Sequence, residues 1–264
     1  MMRIQTLIRK EFLDLARNRA ALVPVVLVTA MSLVLPFGIA ILIPMLTGRG
    51  LGDDADLVKV SATGGIQAGL SNDARVQLFL FQQFLMLFLL TPITGAMALA
   101  AHAIVGEKQA RTLEPLLATP ITTFELLAAK VFGALIPTLA ISLAGLALYF
   151  AGIVAFGAPG VASAMASPRT LVLIVLVAPA AALVSLQSAI LISSRVNDAR
   201  TAQQFGVLII IPLTAVLVAQ FTGSIWLTAA TLAMVGAGLL VFWLLLTLLS
   251  VVVFDREAIL TRWS

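Results

Sequence analysis

Cysteine is absent from this sequence of 264 residues, and histidine occurs once, at His102. Without cysteine the chain has no disulfide bonds, no thiolate metal site and no cysteine nucleophile. A single histidine excludes the H-E-x-x-H zinc motif, so we expect His102 to be an interfacial or hydrogen-bonded side chain and predict no metal site. None of the four lysines follows a glycine, and the G-x-x-x-x-G-K-[ST] phosphate loop is therefore absent.

Charged residues are also scarce, at 11%, whereas 61% of the residues are hydrophobic. A soluble domain would carry roughly 25% charged residues, and the mean hydropathy here is +1.12. These values predict an all-α integral membrane protein. The net charge of +4 is typical of basic cytoplasmic flanks, so we expect no nucleic-acid partner.

Long apolar runs define the predicted organisation, since a bilayer core about 30 Å thick needs ~20 apolar residues per helix. We predict one domain over residues 21–254 with six transmembrane spans, at 21–46, 78–105, 126–155, 171–193, 205–221 and 225–254. A polar loop, 47–77, follows the first span, and a tail, 255–264, follows the last. Of the 16 basic residues, 12 fall on the side of the two termini, which predicts cytoplasmic termini and an external 47–77 loop.

The first twenty residues are too polar to span a membrane. Apolar side chains between Ile4 and Leu15 share one helical face, and basic side chains such as Arg9 and Lys10 lie largely on the other. This pattern favours an amphipathic interfacial helix over residues 1–20. A solvated basic leader that only sets the topology is the alternative.

The predicted span interiors contain almost no ionisable residues, which argues against a carrier coupled to an intramembrane carboxylate but not against one built on broken helices. We expect Lys130, near the start of the third span, to extend to the interface. Gln82, Gln83, Gln187 and Ser188 are the candidates to line a path. Polar side chains also join helices by hydrogen bonds in lipid, and this alternative is favoured.

A polar segment, Gly106 to Lys130, separates the second and third spans with the sequence GEKQARTLEPLLATPITTFELLAAK. Thr122 and Glu125 have the spacing of a capping box directly before the third span. Upstream, Thr112 precedes a predicted short helix over 113–118, and Pro120 prevents it from continuing. From the residues alone, this helix either docks onto a partner or lies in the headgroup layer.

The same segment resembles the cytoplasmic loop of ABC-2-type transporter permeases, in which an E-x-x-x-x-T-x-E-x-L-L-x-T-P run precedes the third span. The matching residues are Glu107, Thr112, Glu114, Leu116, Leu117, Thr119 and Pro120. The resemblance extends to the IRKEF leader, to RVNDARTAQQ after the fourth span and to the FDREAILTRW tail. It implies that residues 1–20 form an elbow helix and that the loop 106–125 is a coupling helix that docks into a separate ATPase subunit. These matching residues and Arg111 would carry the coupling, with weaker support from Asp198 or Arg200.

The resemblance further implies the permease subunit of an ATP-driven exporter that works by alternating access in the cytoplasmic (inner) membrane. This chain would be non-catalytic and bind no cofactor, since ATP and Mg²⁺ would lie on the ATPase. A second permease copy, identical or a paralogue, would complete the unit. The alternative is an ATP-independent secondary carrier or channel. Many relatives place re-entrant helices between the last two spans, where this sequence predicts only a tight turn at 222–224.

Overall fold

The structure, a computed structural model, describes residues 13, 19–63, 69–109, 123–196, 201, 204 and 207–253. Within this part of the chain every regular element is helical. The α-helices are α1 (Arg19–Phe37), α2 (Ile43–Thr47), α3 (Ala55–Thr63), α4 (Asn72–Leu87), α5 (Leu90–Gln109), α6 (Thr123–Phe156), α7 (Val161–Met165), α8 (Pro168–Val172), α9 (Ala178–Arg195), α10 (Val207–Phe221) and α11 (Ala229–Val253). Two π-helical segments, Gly38–Leu42 and Leu173–Val177, join α1 to α2 and α8 to α9.

Five helical stretches of the described chain are long and apolar enough to cross a membrane. They are span 1 (Leu22–Thr47), span 2 (Asn72–His102), span 3 (Ala128–Phe156), span 4 (Pro168–Ser193) and span 6 (Ala229–Ser250). Predicted span 5 corresponds to α10, where the apolar stretch Ile211–Phe221 is shorter. The predicted all-α, multi-pass membrane protein is thus confirmed, and the count of six spans stays a prediction. The predicted amphipathic helix over 1–20 falls almost wholly outside the described residues.

Spans 2 and 4 begin earlier than their hydropathy predicts, because serine caps start both helices. The Ser71 hydroxyl accepts from the Ala74 amide at 3.2 Å, so α4 begins six residues before the predicted Leu78. Ser167 likewise accepts from the Thr170 amide at 3.3 Å. Capping satisfies amides that lack intrahelical partners whether or not the first turn is apolar. The predicted 47–77 loop therefore ends at Ser71, and it also contains α3.

Span 2 is interrupted in its middle, between α4 and α5. The Leu89 and Thr91 amides bond to carbonyls only three residues back, those of Met86 and Phe88, each at 3.0 Å. Pro92 follows in the first turn of α5 and has no amide hydrogen to continue the regular ladder. The proline therefore divides span 2 into an outer half, α4, and an inner half, α5, that leads to the polar segment.

Spans 2 and 4 occupy the centre of the bundle. In the most apolar window of each helix, 83% of residues are buried for span 2 and 61% for span 4, against 17%, 22% and 11% for spans 1, 3 and 6. The connections after spans 1, 3 and 5 meet at one end: the Gln77 side chain binds the Ala158 amide, and Trp226 lies against Arg169. We call this the outer end, following the predicted orientation.

Span 6 starts later than predicted. A turn at Thr222–Ser224 follows α10, with Gly223 at a φ of +71°, but residues 225–228 are not helical and α11 begins at Ala229. The Thr228 hydroxyl accepts from the Thr231 amide at 3.3 Å and caps that helix. The connection between α10 and α11 is therefore longer than the expected tight turn, and it places Trp226 beside the bundle.

Candidate functional site

A polar cluster lies inside the outer end of the bundle, with Arg169 at its centre. Arg169 is in the first turn of span 4, directly after the Ser167 cap and Pro168. Its Nη1 donates to Oε1 of Gln82 on α4 at 2.9 Å, and its Nη2 donates to Oε1 of Gln220 on α10 at 2.7 Å. One guanidinium thus connects spans 2 and 4 with α10.

Aromatic and sulfur groups complete the surroundings of Arg169. The guanidinium carbon lies 4.2 Å from the centroid of the Trp226 ring, in cation–π geometry. The Phe79 ring stacks on the Trp226 ring, with centroids 6.3 Å apart and an interplanar angle of 19°. Met86 Sδ lies 3.9 Å from Nη2 of Arg169 and 2.7 Å from Nε2 of Gln220. We call Arg169, Gln82, Gln220, Trp226 and Met86 the Arg169 cluster.

The partners of Arg169 in the described part of the chain are all electrically neutral. Two amide oxygens and a thioether accept its hydrogen bonds, and an indole covers one face. Removing a cation from water is costly unless an opposite charge or several dipoles replace the lost hydration. The cluster supplies dipoles and a π face, and it retains a net positive charge.

Two further contacts tie the outer half of span 2 to its neighbours. Gln77 donates to the carbonyl of Ala40, in the π-helical part of span 1, at 3.2 Å and accepts from the Ala158 amide at 2.7 Å. The buried Tyr149 hydroxyl, on span 3, donates to the Phe81 carbonyl at 2.7 Å. With the Arg169 cluster, these contacts make α4 the element to which spans 1, 3 and 4 and α10 are all attached.

The four predicted path residues lie at different positions. Gln82 belongs to the Arg169 cluster, and the adjacent Gln83 is fully buried, with both amide atoms unpaired among the described residues. Gln187 donates to the Ser250 hydroxyl at 2.6 Å and joins span 4 to span 6. Ser188 bonds to the Val184 carbonyl of its own helix at 2.8 Å. Two of the four therefore join helices, and the lining of a path stays a prediction.

An apolar cavity of about 280 Å³ adjoins the break in span 2. It lies between spans 2, 3 and 4, and its wall includes Phe88 and Pro92 at the break and Leu173 in the π-helical segment. Ser142 contributes a hydroxyl to this wall, but that group bonds to the Thr138 carbonyl of its own helix at 2.8 Å. The cavity therefore offers volume without free hydrogen-bonding groups.

The predicted coupling residues lie at the edge of the described chain or beyond it. Glu107 is in the last turn of α5, and its side chain is outside the described part. The remaining residues outside the description are Arg111, Thr112, Glu114, Leu116, Leu117, Thr119, Pro120, Thr122, Asp198 and Arg200. Glu125 lies in the first turn of α6 and is half-buried, in keeping with an acidic residue near a helix N-terminus. These roles stay predictions.

Two basic residues differ from the expectation. Lys130 was expected to extend to the interface, but only 3% of it is exposed. The expectation was wrong because the residue lies on the inward face of α6, beside the buried Ala129 and Ala134. The predicted start of span 4 at residue 171 leaves Arg169 outside the helix, whereas the structure includes it. The Ser167-Pro168 pair, a cap followed by proline at the first helical position, is the sequence signal that places Arg169 inside the helix.

Groups that could hold a metal ion are absent from the described residues: no three His, Cys, Asp or Glu side chains cluster there. The acidic residues of the outer end have local roles instead. Asp73 accepts from the Gly52 amide at 2.6 Å, and Asp54 caps α3 through the amides of Asp56 and Leu57 at 2.9 and 3.1 Å. The site is therefore a cationic cluster in a largely apolar bundle.

Comparison with known protein families identifies the family of this chain. The family model described as "ABC-2 family transporter protein" matches residues 5–235, most of the chain. The chain belongs to this family. It is thus an ABC transporter permease, a membrane transport component, and permeases of this family generally pair with an ATPase subunit. No curated protein and no solved structure matches the chain.

Proposed function

We propose that this permease is the membrane subunit of an ATP-driven exporter and that a separate ATPase drives it through the segment 106–125. The observation that carries the proposal is the family match over residues 5–235, which includes this segment. The missing phosphate loop agrees with it, since nucleotide must then bind to another chain. ATP and Mg²⁺ would lie on that ATPase, and two permease copies would form the working unit.

The fold suggests how movement of the coupling segment would reach the bundle. The segment is attached to α5 on one side and to α6 on the other. Helix α5 is the inner half of the most buried span and packs against spans 1, 3 and 4, and the outer half, α4, is hydrogen-bonded to spans 1, 3 and 4 and α10. Force applied to α5 would therefore move the inner parts of these spans and bend span 2 at its interruption, Phe88–Leu89. Nucleotide that binds with different affinity to two conformations of the transporter would drive the alternation between them.

Glu114→Lys and Leu117→Asp test the coupling. The first reverses a charge in the predicted helix and the second places a charge on its apolar face, so each should disrupt docking. We expect either variant to insert normally but to lose co-purification with a co-expressed ATPase subunit, along with permease-stimulated ATP hydrolysis in proteoliposomes. Asp56→Lys reverses an exposed charge on α3 at the outer end and should leave both measurements unchanged.

Two results would contradict the proposal. Full coupling in the Glu114→Lys/Leu117→Asp double variant would exclude segment 106–125 as the docking element for the ATPase. Transport by the purified chain alone, driven by an ion gradient without ATP, would instead favour a secondary carrier or channel.

A further inference from the structure

We propose that Arg169 and Arg75 bind a phosphate-type anionic group at the outer end of the bundle. The proposal concerns a ligand site and does not depend on the proposed ATP-driven transport. It rests on the uncompensated charge of the Arg169 cluster, on an unpaired group of Arg75, and on the position of Arg75 on the face of span 2 that the Arg169 cluster contacts.

The charge of Arg169 is the first observation. The guanidinium carries five donors, and its partners in the described chain are neutral acceptors and the Trp226 ring. Its place in the first turn of span 4 adds a cost, because the helix dipole disfavours positive charge at that end. An arriving anion would remove this cost and would form charge-assisted hydrogen bonds, which are about twice as strong as neutral ones.

Arg75 supplies the second observation. Its Nε is buried and has no partner among the described residues. Arg75, Phe79, Gln82 and Met86 follow one another at helical spacings of four, three and four residues, so all four share a face of α4. Arg75 therefore lies on the face that carries the Arg169 cluster, about 10 Å from Gln82 along the helix axis, at a rise of ~1.5 Å per residue.

The chemistry favours phosphate, and a lipid headgroup is the favoured source. Planar guanidinium groups bind phosphate through paired, parallel hydrogen bonds. The cluster lies at the end of the membrane-crossing helices, beside Trp226, and tryptophan is enriched at the depth of lipid headgroups. The half-buried Trp226 would contact the apolar part of such a lipid. A free phosphate ion shares the anionic chemistry but has no apolar part.

Binding can be measured by thermal unfolding of the full chain in nanodiscs. Phosphatidylcholine nanodiscs provide the baseline, phosphatidylglycerol is then added in increasing fractions, and inorganic phosphate is titrated in a separate arm. We expect the midpoint to rise with phosphatidylglycerol in the wild type. In Arg169→Gln the apparent Kd for the lipid should rise at least tenfold. Arg49→Gln is the matched control, since it removes an exposed charge at the same end and should preserve the response.

Arg169→Lys and the fluorescence of Trp226 keep the proposal testable if Arg169→Gln fails to fold. Lysine keeps the charge but loses the paired geometry, so the lipid response should weaken without disappearing. In a variant with Trp243→Phe and Trp263→Phe, Trp226 is the remaining tryptophan, and its fluorescence should change when phosphatidylglycerol is added.

The outcomes separate the two sources and the structural alternative. A response to phosphatidylglycerol alone assigns the site to a lipid, and an Arg169-dependent response to inorganic phosphate assigns it to free anions. A response that is absent in the wild type, or equal in Arg169→Gln and Arg49→Gln, would overturn the proposal. In that case Arg169 only ties the helices together, and its variants would lower the midpoint equally in every lipid.

Discussion

Single hydroxyl and amide groups connect the helices of this permease within an apolar bundle. Among the described residues Tyr149 is the largest fully buried side chain, and its one polar side-chain atom bonds to the backbone of span 2. Its ring also packs against Phe37 and Phe81, with centroids 5.7 and 5.9 Å away. The residue thus combines aromatic packing among spans 1, 2 and 3 with one directional contact.

Tyr149→Phe isolates that directional contact, because it removes the hydroxyl and keeps the ring. We expect the free energy of unfolding to fall by about 1 kcal/mol, the net value of one intramolecular hydrogen bond. Ser188→Ala also removes one hydroxyl, but that group bonds only within its own helix, so its effect should be smaller. Unfolding in mixed micelles measures both variants. Equal losses of unfolding free energy would show that the contact between spans 2 and 3 contributes no more than a hydrogen bond within one helix.

Helix pairs in this bundle approach closely where glycine replaces a side chain. At Gly152 on span 3, an added Cβ would lie 2.5 Å from the tip of the Phe37 ring on span 1. The ring is held by neighbours, since Phe81 lies 5.3 Å away, centroid to centroid. On span 6, Gly236 similarly admits Leu176 of span 4, at 2.6 Å from an added Cβ. Small residues thus set the spacing of these helices, as they commonly do in membranes.

Gly152→Ala should therefore destabilise the protein, although alanine is the better helix former by roughly 1 kcal/mol. Displacing a packed ring costs about 1–3 kcal/mol, which exceeds the gain in helix propensity. Gly238→Ala is the matched control, because its added Cβ has nothing within 4 Å, and it should be neutral or stabilising. The free energy of unfolding is measured for both variants. Adding Phe37→Leu to Gly152→Ala should recover the lost stability. A change in the free energy of unfolding with the same sign in Gly152→Ala and Gly238→Ala would contradict the close contact.

At the scale of the whole molecule, the two ends of the bundle differ. The outer end carries α3, α7 and the Arg169 cluster, and contacts such as Gln77 to Ala158 join its connections. The other end carries the segment between α5 and α6 that resembles a coupling loop. Basic residues are concentrated on this second side, and from the positive-inside rule we predict that it faces the cytoplasm.

The orientation can be tested directly because the chain has no cysteine of its own. Asp56→Cys and Ser163→Cys introduce exposed thiols at the outer end, and Gly106→Cys introduces one at the opposite end. A membrane-impermeant maleimide added to intact cells should label the first two, whereas Gly106→Cys should react only after the membrane is permeabilised. The opposite labelling pattern would invert the proposed topology.

The sequence by itself determined the class, the family resemblance and the approximate position of the membrane-spanning helices. Hydropathy and loop charge suffice for this because lipid excludes unpaired backbone groups and favours long apolar helices. The serine caps at Ser71 and Ser167 were also readable, but hydropathy alone did not reveal them. Family resemblance, rather than any physical property of the residues, favours a docking segment over an interfacial one, and the docking role stays a prediction.

Tertiary structure alone decided which helices are central and which polar groups meet. Gln82, Arg169 and Gln220 are 51 to 138 positions apart in the sequence, yet two hydrogen bonds of 2.9 and 2.7 Å join them. Their pairing depends on how whole helices pack, and that packing depends on small-residue contacts such as Gly152 with Phe37. Six apolar runs of similar composition carry little information about their order around span 2, because lipid and neighbouring helices are almost equally apolar.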